Sequence, residues 1–147
     1  MNEEAHKKPI KILFVCVANL CRSPLAKIIA EKLYGGKIEA ESAGISPAHC
    51  PVYEEAVCIA EKSYGADFAG HKTRHVLEYS LDEFDHIIAM DSSVYTAMMD
   101  MKPVPKDKLH MWQIADPCGF GIEAYERMAK DIELELEKFL RLHRSLD

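Results

Sequence analysis

No run of about 18 apolar residues occurs anywhere in the 147-residue chain, which argues against a membrane-spanning helix. The opening Met1-Asn2-Glu3-Glu4-Ala5-His6-Lys7-Lys8 lacks the apolar core of a secretion signal. We read residues 1–9 as a flexible leader and 10–147 as one domain, with no internal repeat, low-complexity tract or linker. There is no excess of basic residues: 18 Lys and Arg stand against 24 Asp and Glu, a formal charge of −6. A nucleic-acid partner usually requires a basic footprint, so none is expected. No C-x-x-C pair occurs among the five cysteines, and neither a zinc site nor any other metal or cofactor is expected. An odd cysteine count without a secretion signal points to reduced, cytoplasmic thiols. Cys50 and Cys58 read as two unrelated small residues rather than a redox pair. A monomer is the expected state.

What the chain does contain is an alternation of short apolar strands and amphipathic helices. Strands are expected over 11–16, 38–43, 85–90 and 109–111, with a short helical turn over 81–83. Helices are expected over 24–34, closed by Gly35-Gly36, over 52–64, over 92–101 before Pro103 and Pro105, and over 122–143. The last helix has the clearest period: Ile122, Tyr125, Met128, Ile132, Leu136, Phe139 and Leu140 form one stripe. Glu126/Lys130 and Glu137/Arg141 are placed to pair on its outer faces. Such alternation predicts an α/β fold, a parallel sheet with helices on both faces. Ligands bind such sheets at the carboxyl ends of the strands, near the switch in strand order.

The loop after the first strand is therefore where chemistry is expected. It reads Val15-Cys16-Val17-Ala18-Asn19-Leu20-Cys21-Arg22-Ser23-Pro24. Serine followed by proline predicts an N-cap and first helical position. A loop folded over a helix N-terminus aims free N–H groups at a bound anion. The N–H groups of Val17, Ala18, Asn19, Leu20, Cys21 and Arg22 would cradle a phosphoryl group, and the Arg22 fork would hold two of its oxygens. Cys16 would lie at the base, where a positive field favours the nucleophilic thiolate. Lys27, His71, Lys72, Arg74 and His75 are further cations that the fold could gather there.

The segment resembles the low-molecular-weight protein tyrosine phosphatase family, whose signature is Cys, five residues, Arg, Ser, usually Pro. Glu41-Ser42-Ala43-Gly44-Ile45-Ser46, Gly70-His71-Lys72-Thr73-Arg74, Phe84 to Asp91 and Asp116-Pro117 extend the likeness in order over residues 10 to 143. The resemblance implies a four-stranded sheet of order 2-1-3-4 and a metal-independent phosphatase acting through a phosphocysteine. The expected substrate is a tyrosine-phosphorylated protein or a small aryl phosphate. Cys16 would be the nucleophile, Arg22 the phosphate clamp and Asp116 the general acid, then base. Ser23 would steady the Cys16 sulfur, a role compatible with the N-cap. Asn19, tolerant of a left-handed backbone, would tie the loop to its neighbours with His71 behind it. Asp91 would order Arg22 or cap the helix that begins at Ser92. The resemblance also suggests a reversible Cys16–Cys21 disulfide; otherwise Cys21 is a small loop residue.

The chain departs from the family pattern in three places. Ala18 stands where glycine is usual, at a cost of about 1 kcal/mol if its φ is positive. Cys118-Gly119 replaces the aromatics that wall the substrate ring, and Phe120, Trp112 or Tyr53 is left to do so. Val17 stands where arginine-phosphatase relatives tend to carry threonine. Arsenate reductases that share the fold add two cysteines after the third strand, where this chain has Met90-Asp91-Ser92. Arsenate reduction and phosphate binding without turnover are the alternative functions.

Overall fold

The computed structural model describes residues 8–143. Of the expected leader, 1–7 lie outside the described residues, as do 144–147; Lys8 and Pro9 precede the first strand without regular structure. Four parallel strands form one sheet of order β2-β1-β3-β4: β1 (Ile10–Cys16), β2 (Ile38–Gly44), β3 (His86–Ala89) and β4 (Leu109–Met111). The helices are α1 (Arg22–Tyr34), α2 (Glu54–Tyr64), α3 (Ser92–Met99) and α4 (Ile122–His143). The α/β architecture is the one the alternation of elements predicts, and the strand order is the one the family resemblance implies. Among the described residues no helix is long and apolar enough to cross a membrane.

The central strand β1 is buried on both sides, as a parallel strand covered by helices must be. Ile12, Phe14 and Cys16 share one core with α1, α2 and α4, and Leu13 and Val15 share the other with α3. The α4 stripe packs as its period predicts, except that Ile122 at the first turn stays 38% exposed. Of its two expected ion pairs, Arg141–Glu137 forms at 2.8 Å.

Element ends differ from expectation for local reasons. Helix α1 begins at Arg22, two residues early, and Ser23 is not its cap: Cys21 holds that position and no side chain caps the end. Pro24 fits inside the first turn because N–H groups there have no intrahelical partner. Helix α2 begins at Glu54 because the chain through Tyr53 stays extended, with φ −66° and ψ 148°. Helix α3 stops at Met99; Pro103 disfavours helical backbone at Lys102, and 98–104 become successive turns. The short turn Leu81–Glu83 forms as expected, whereas Val76–Glu78 and Lys106–Lys108 add two single helical turns too short to leave a period in the sequence.

Candidate active site

The last residue of β1, Cys16, is level with Gly44 of β2, and the chain then turns sharply into α1. That turn is hung on its neighbour by backbone. The carbonyls of Cys16, Val17 and Ala18 accept from the N–H groups of Ile45, Ser46 and Ala48 at 2.9–3.1 Å. No peptide bond among the described residues is cis, so the N–H on the far side of each of these peptides, at Val17, Ala18 and Asn19, faces the other way. The uncapped first turn of α1 adds further donors. Gly44 permits the close approach: a Cβ there would stand 2.6 Å from the Val17 carbonyl oxygen.

Asn19 fixes the turn from inside. It is the sole non-glycine residue with positive φ among those described, at 62°, and it is fully buried. Its Nδ2 donates to Ser23 Oγ at 2.9 Å and to Ser42 Oγ at 3.0 Å, and its Oδ1 accepts from the Arg74 N–H at 3.0 Å. His71 Nε2 lies 2.9 Å from the Asn19 carbonyl. A carbonyl only accepts, so the ring proton is on Nε2. Burial holds the His71 pKa below the usual imidazole value, against the pull of that carbonyl, and the ring is neutral at pH 7. Ala18 does not share the left-handed conformation, so the alanine there is unstrained.

Ser23 uses its hydroxyl within the same network, which is why it does not cap the helix. Its Oγ is 2.9 Å from Cys16 Sγ and 3.1 Å from the Ala43 carbonyl. Arg22 is 5% exposed. Its Nη1 donates to Asp91 Oδ2 at 2.7 Å and to the Ile114 carbonyl at 3.0 Å, which leaves the Nε and Nη2 hydrogens free of these two partners. Asp91 performs both roles anticipated for it, since its Oδ1 also accepts from the Val94 N–H and caps α3. Burial pushes its carboxyl upward, but the Val94 N–H, the guanidinium and the Ser93 hydroxyl together outweigh this and leave it below the usual carboxylate range.

The loop and the segments facing it enclose a cavity of about 210 Å³. Cys16, Val17, Ala18, Leu20, Cys21 and Arg22 form its base and sides; Tyr53, Asp116 and Cys118 line the rest. Asp116 is exposed, and its Oδ1 accepts from the Cys118 N–H at 3.0 Å. Of the three aromatics proposed for a wall, Tyr53 alone lines the cavity. Trp112 is buried between Phe14 and Phe139, with ring centroids 5.7 and 6.2 Å away, and Phe120 is 76% exposed. Cys16 and Cys21 are both free thiols in this structure. Cys21 Sγ lies 3.5 Å from the Tyr125 hydroxyl, and burial, only partly offset by that hydroxyl, pushes the Cys21 thiol up to about 11.

The other expected cations are not gathered here. Lys27 pairs with Glu41 at 3.1 Å, Arg74 lies over the Tyr79 ring, and His75 Nδ1 accepts from the Leu77 N–H. His71 and Lys72 line a separate, larger cavity of about 540 Å³ that includes neither Cys16 nor Arg22. The sequence reading missed Ser42, Gly44 and Tyr125 as parts of the site. A small residue on a strand carries no signal of its own, and Tyr125 was hidden in a core stripe.

Comparison with known proteins gives concordant findings. A family model described as low molecular weight phosphotyrosine protein phosphatase matches residues 11–147. The low molecular weight protein-tyrosine-phosphatase YfkJ of Bacillus subtilis is 40% identical over 114 residues, 73% of this chain and 72% of the relative. The protein-arginine-phosphatase of Geobacillus stearothermophilus is 29% identical over 139 residues, 88% of this chain and 93% of the relative. Among solved structures, the low molecular weight protein tyrosine phosphatase from T. tengcongensis superposes with a TM-score of 0.80 at 30% identity, covering 90% of this chain and 98% of that one.

Proposed function

Because the chain belongs to the low molecular weight phosphotyrosine protein phosphatase family, we propose that it hydrolyses phosphotyrosine-type phosphate monoesters through a phosphocysteine formed on Cys16. The observation that carries this reading is one cavity that joins a buried cysteine, an arginine and a solvent-side carboxylate. In it Cys16 lies at the end of β1 beneath the first turn of α1, Arg22 lines the side and Asp116 the mouth.

The Cys16 thiolate attacks phosphorus in line with the leaving oxygen, and the Ser23 hydroxyl, 2.9 Å from the sulfur, donates to it by turning its single hydrogen away from the Ala43 carbonyl. The inward N–H groups of the loop and the remaining donors of Arg22 meet the equatorial oxygens, whose charge grows toward the transition state. Asp116 protonates the leaving oxygen, then takes a proton from the water that cleaves the phosphocysteine. Positive charge comes from Arg22 and backbone dipoles, and the proposed mechanism needs neither metal nor cofactor. We place the enzyme in the cytoplasm as a monomer, where a buried nucleophilic thiol stays reduced. Its substrate is a tyrosine-phosphorylated protein or a small aryl phosphate whose ring lies against Tyr53. Val17 favours this over a phosphoarginine substrate, since it has no hydroxyl at the position where the resemblance places threonine in arginine phosphatases.

The test is p-nitrophenyl phosphate hydrolysis at pH 5–7 with EDTA, on the wild type, Cys16→Ser and Asp116→Ala. The expected result is turnover by the wild type, none by Cys16→Ser, and a loss of roughly 10²–10⁴-fold in Asp116→Ala. A folded, reduced wild type that binds phosphate without turnover overturns the proposal. Arsenate-dependent oxidation of a thiol donor in place of hydrolysis would favour the reductase alternative.

A further inference from the structure

Three histidines meet on the β3–β4 side of the sheet, away from the cavity. His86 is the first residue of β3 and His110 the central residue of β4. His143 ends α4, one turn after Phe139. His86 is level with Ile12 of β1, so it lies four residues, about 13 Å, back along the sheet from Cys16. The three rings form a near-equilateral triangle, with centroids 4.9 Å apart for His86–His110, 4.7 Å for His86–His143 and 5.2 Å for His110–His143. Phe139 packs against all three, at 4.8, 5.2 and 4.2 Å. Within the triangle His86 Nδ1 and His110 Nε2 are 2.9 Å apart. No group of three His, Cys, Asp or Glu among the described residues is arranged to hold a metal ion, so the triangle is a contact between rings.

That contact depends on protons. One nitrogen of the 2.9 Å pair carries hydrogen and the other offers a lone pair. A single added proton leaves an N–H···N bond in place. A second puts two N–H donors face to face, and a charged His143 adds repulsion from the third side. We propose that the His86–His110–His143 triangle is a proton-operated latch that holds the last turn of α4 on the β3–β4 edge and releases it in acid.

The surroundings do little to neutralise added charge. Asp85, next in chain to His86, favours protonation, but its Oδ2 already accepts from the Lys11 N–H at 2.9 Å. Lys108 opposes it from the turn before β4. Lys8, Lys11 and Glu83 line the cavity that His86 and His143 share with Asp85. From α4, His143 is the ring that faces His86 and His110. Burial first, then the neighbouring His110 and His143, hold His86 down at about 4, and burial and His143 lower His110. Both folded values lie below the ordinary imidazole value of about 6.5. The unfolded chain therefore takes up protons first as pH falls. The latch contributes fully above about pH 6.5, and its contribution is lost as pH falls toward about 4.

The test follows amide exchange in the last two turns of α4, corrected for the intrinsic pH dependence and referenced to the amides of β1. It is run from pH 7 to pH 4.5 on the wild type and on His86→Phe, which keeps a ring against Phe139 but has no nitrogen. The expected result is a loss of protection of at least tenfold over residues 136–143 in the wild type, and a smaller one in His86→Phe. NMR titration of wild-type histidine ring protons is the second measurement, needed if His86→Phe fails to fold. It should place His86 and His110 below the ordinary imidazole value. Equal loss of protection in wild type and variant overturns the latch, as does ordinary titration of His86 near pH 6.5. Neither readout depends on phosphatase activity, so the latch and the proposed function fail separately.

Discussion

Replacement of Asn19 by alanine should cost more than any other single change to the loop that spares Cys16 and Arg22. The side chain makes three hydrogen bonds, to Ser23, Ser42 and the Arg74 N–H, and the backbone holds φ at 62°. The Ser23 and Ser42 oxygens lose the Nδ2 donor, at about 0.5–1 kcal/mol each. The Arg74 N–H cannot turn and is left without its acceptor, a loss of about 1–3 kcal/mol. Alanine in a left-handed backbone adds about 1 kcal/mol. The total is about 4 kcal/mol, or a fall in Tm of about 8–16 °C at roughly 2–4 °C per kcal/mol for a chain of this size. Asn19→Gly loses the same hydrogen bonds but accepts the positive φ, and should unfold about 1 kcal/mol later than Asn19→Ala. Urea denaturation of the two variants against the wild type reads both quantities. A loss under 1 kcal/mol in Asn19→Ala would show that the side-chain network does not hold the loop. Equal stability of the alanine and glycine variants would refute the backbone part of the reasoning.

Asp91→Ala should destabilise by about 3–5 kcal/mol, because it leaves the 5%-exposed Arg22 without its counter-ion, and the helix cap is lost as well; denaturant midpoints check this. The Asp91 carboxyl is held below its ordinary range. Its contribution to stability is thus complete above about pH 4 and lost only as pH falls through the lower folded value. A stability–pH curve of Asp91→Asn should therefore differ in shape from wild type only in strong acid. Gly44→Ala puts a Cβ 2.6 Å from the Val17 carbonyl and must displace the loop; we expect at least a tenfold loss of kcat/KM, measured with p-nitrophenyl phosphate. With its thiol pushed up to about 11, Cys21 should resist iodoacetamide at pH 8 while the exposed Cys50 and Cys118 react, as peptide mass spectrometry would show.

The fold was legible because its signals are periodic. Strand β1 holds a continuous apolar run from Ile12 to Cys16 and α4 an uninterrupted stripe, and both elements end within one residue of the expected positions. The chemistry of the loop was legible because cysteine, arginine and serine-proline stand close together in the chain. Contacts that join distant segments were not. The bond from Tyr125 to Cys21 spans 104 positions, and nothing in an amphipathic helix marks which buried tyrosine ends at a thiol. The start of α1 was misread because a serine before proline is a good cap in isolation, whereas here its hydroxyl has Cys16, Asn19 and Ala43 as partners. Arg22 was marked by its place in the loop, and the five other cations carried no such mark. Burial of Arg22 between Asp91 and Ile114 separates it from Lys27, Arg74 and His75, which face other partners.

The cavity is made of two materials. Its base is main chain, fastened to the segment after β2 by hydrogen bonds between backbone groups. Its rim at Tyr53 and Cys118 is exposed side chain carried on segments outside the helices and strands. Changes at such exposed positions usually alter stability by no more than about 0.5 kcal/mol. Mutation can therefore explore the rim almost freely while the base stays fixed, and substrate preference can drift between lineages that keep the same reaction.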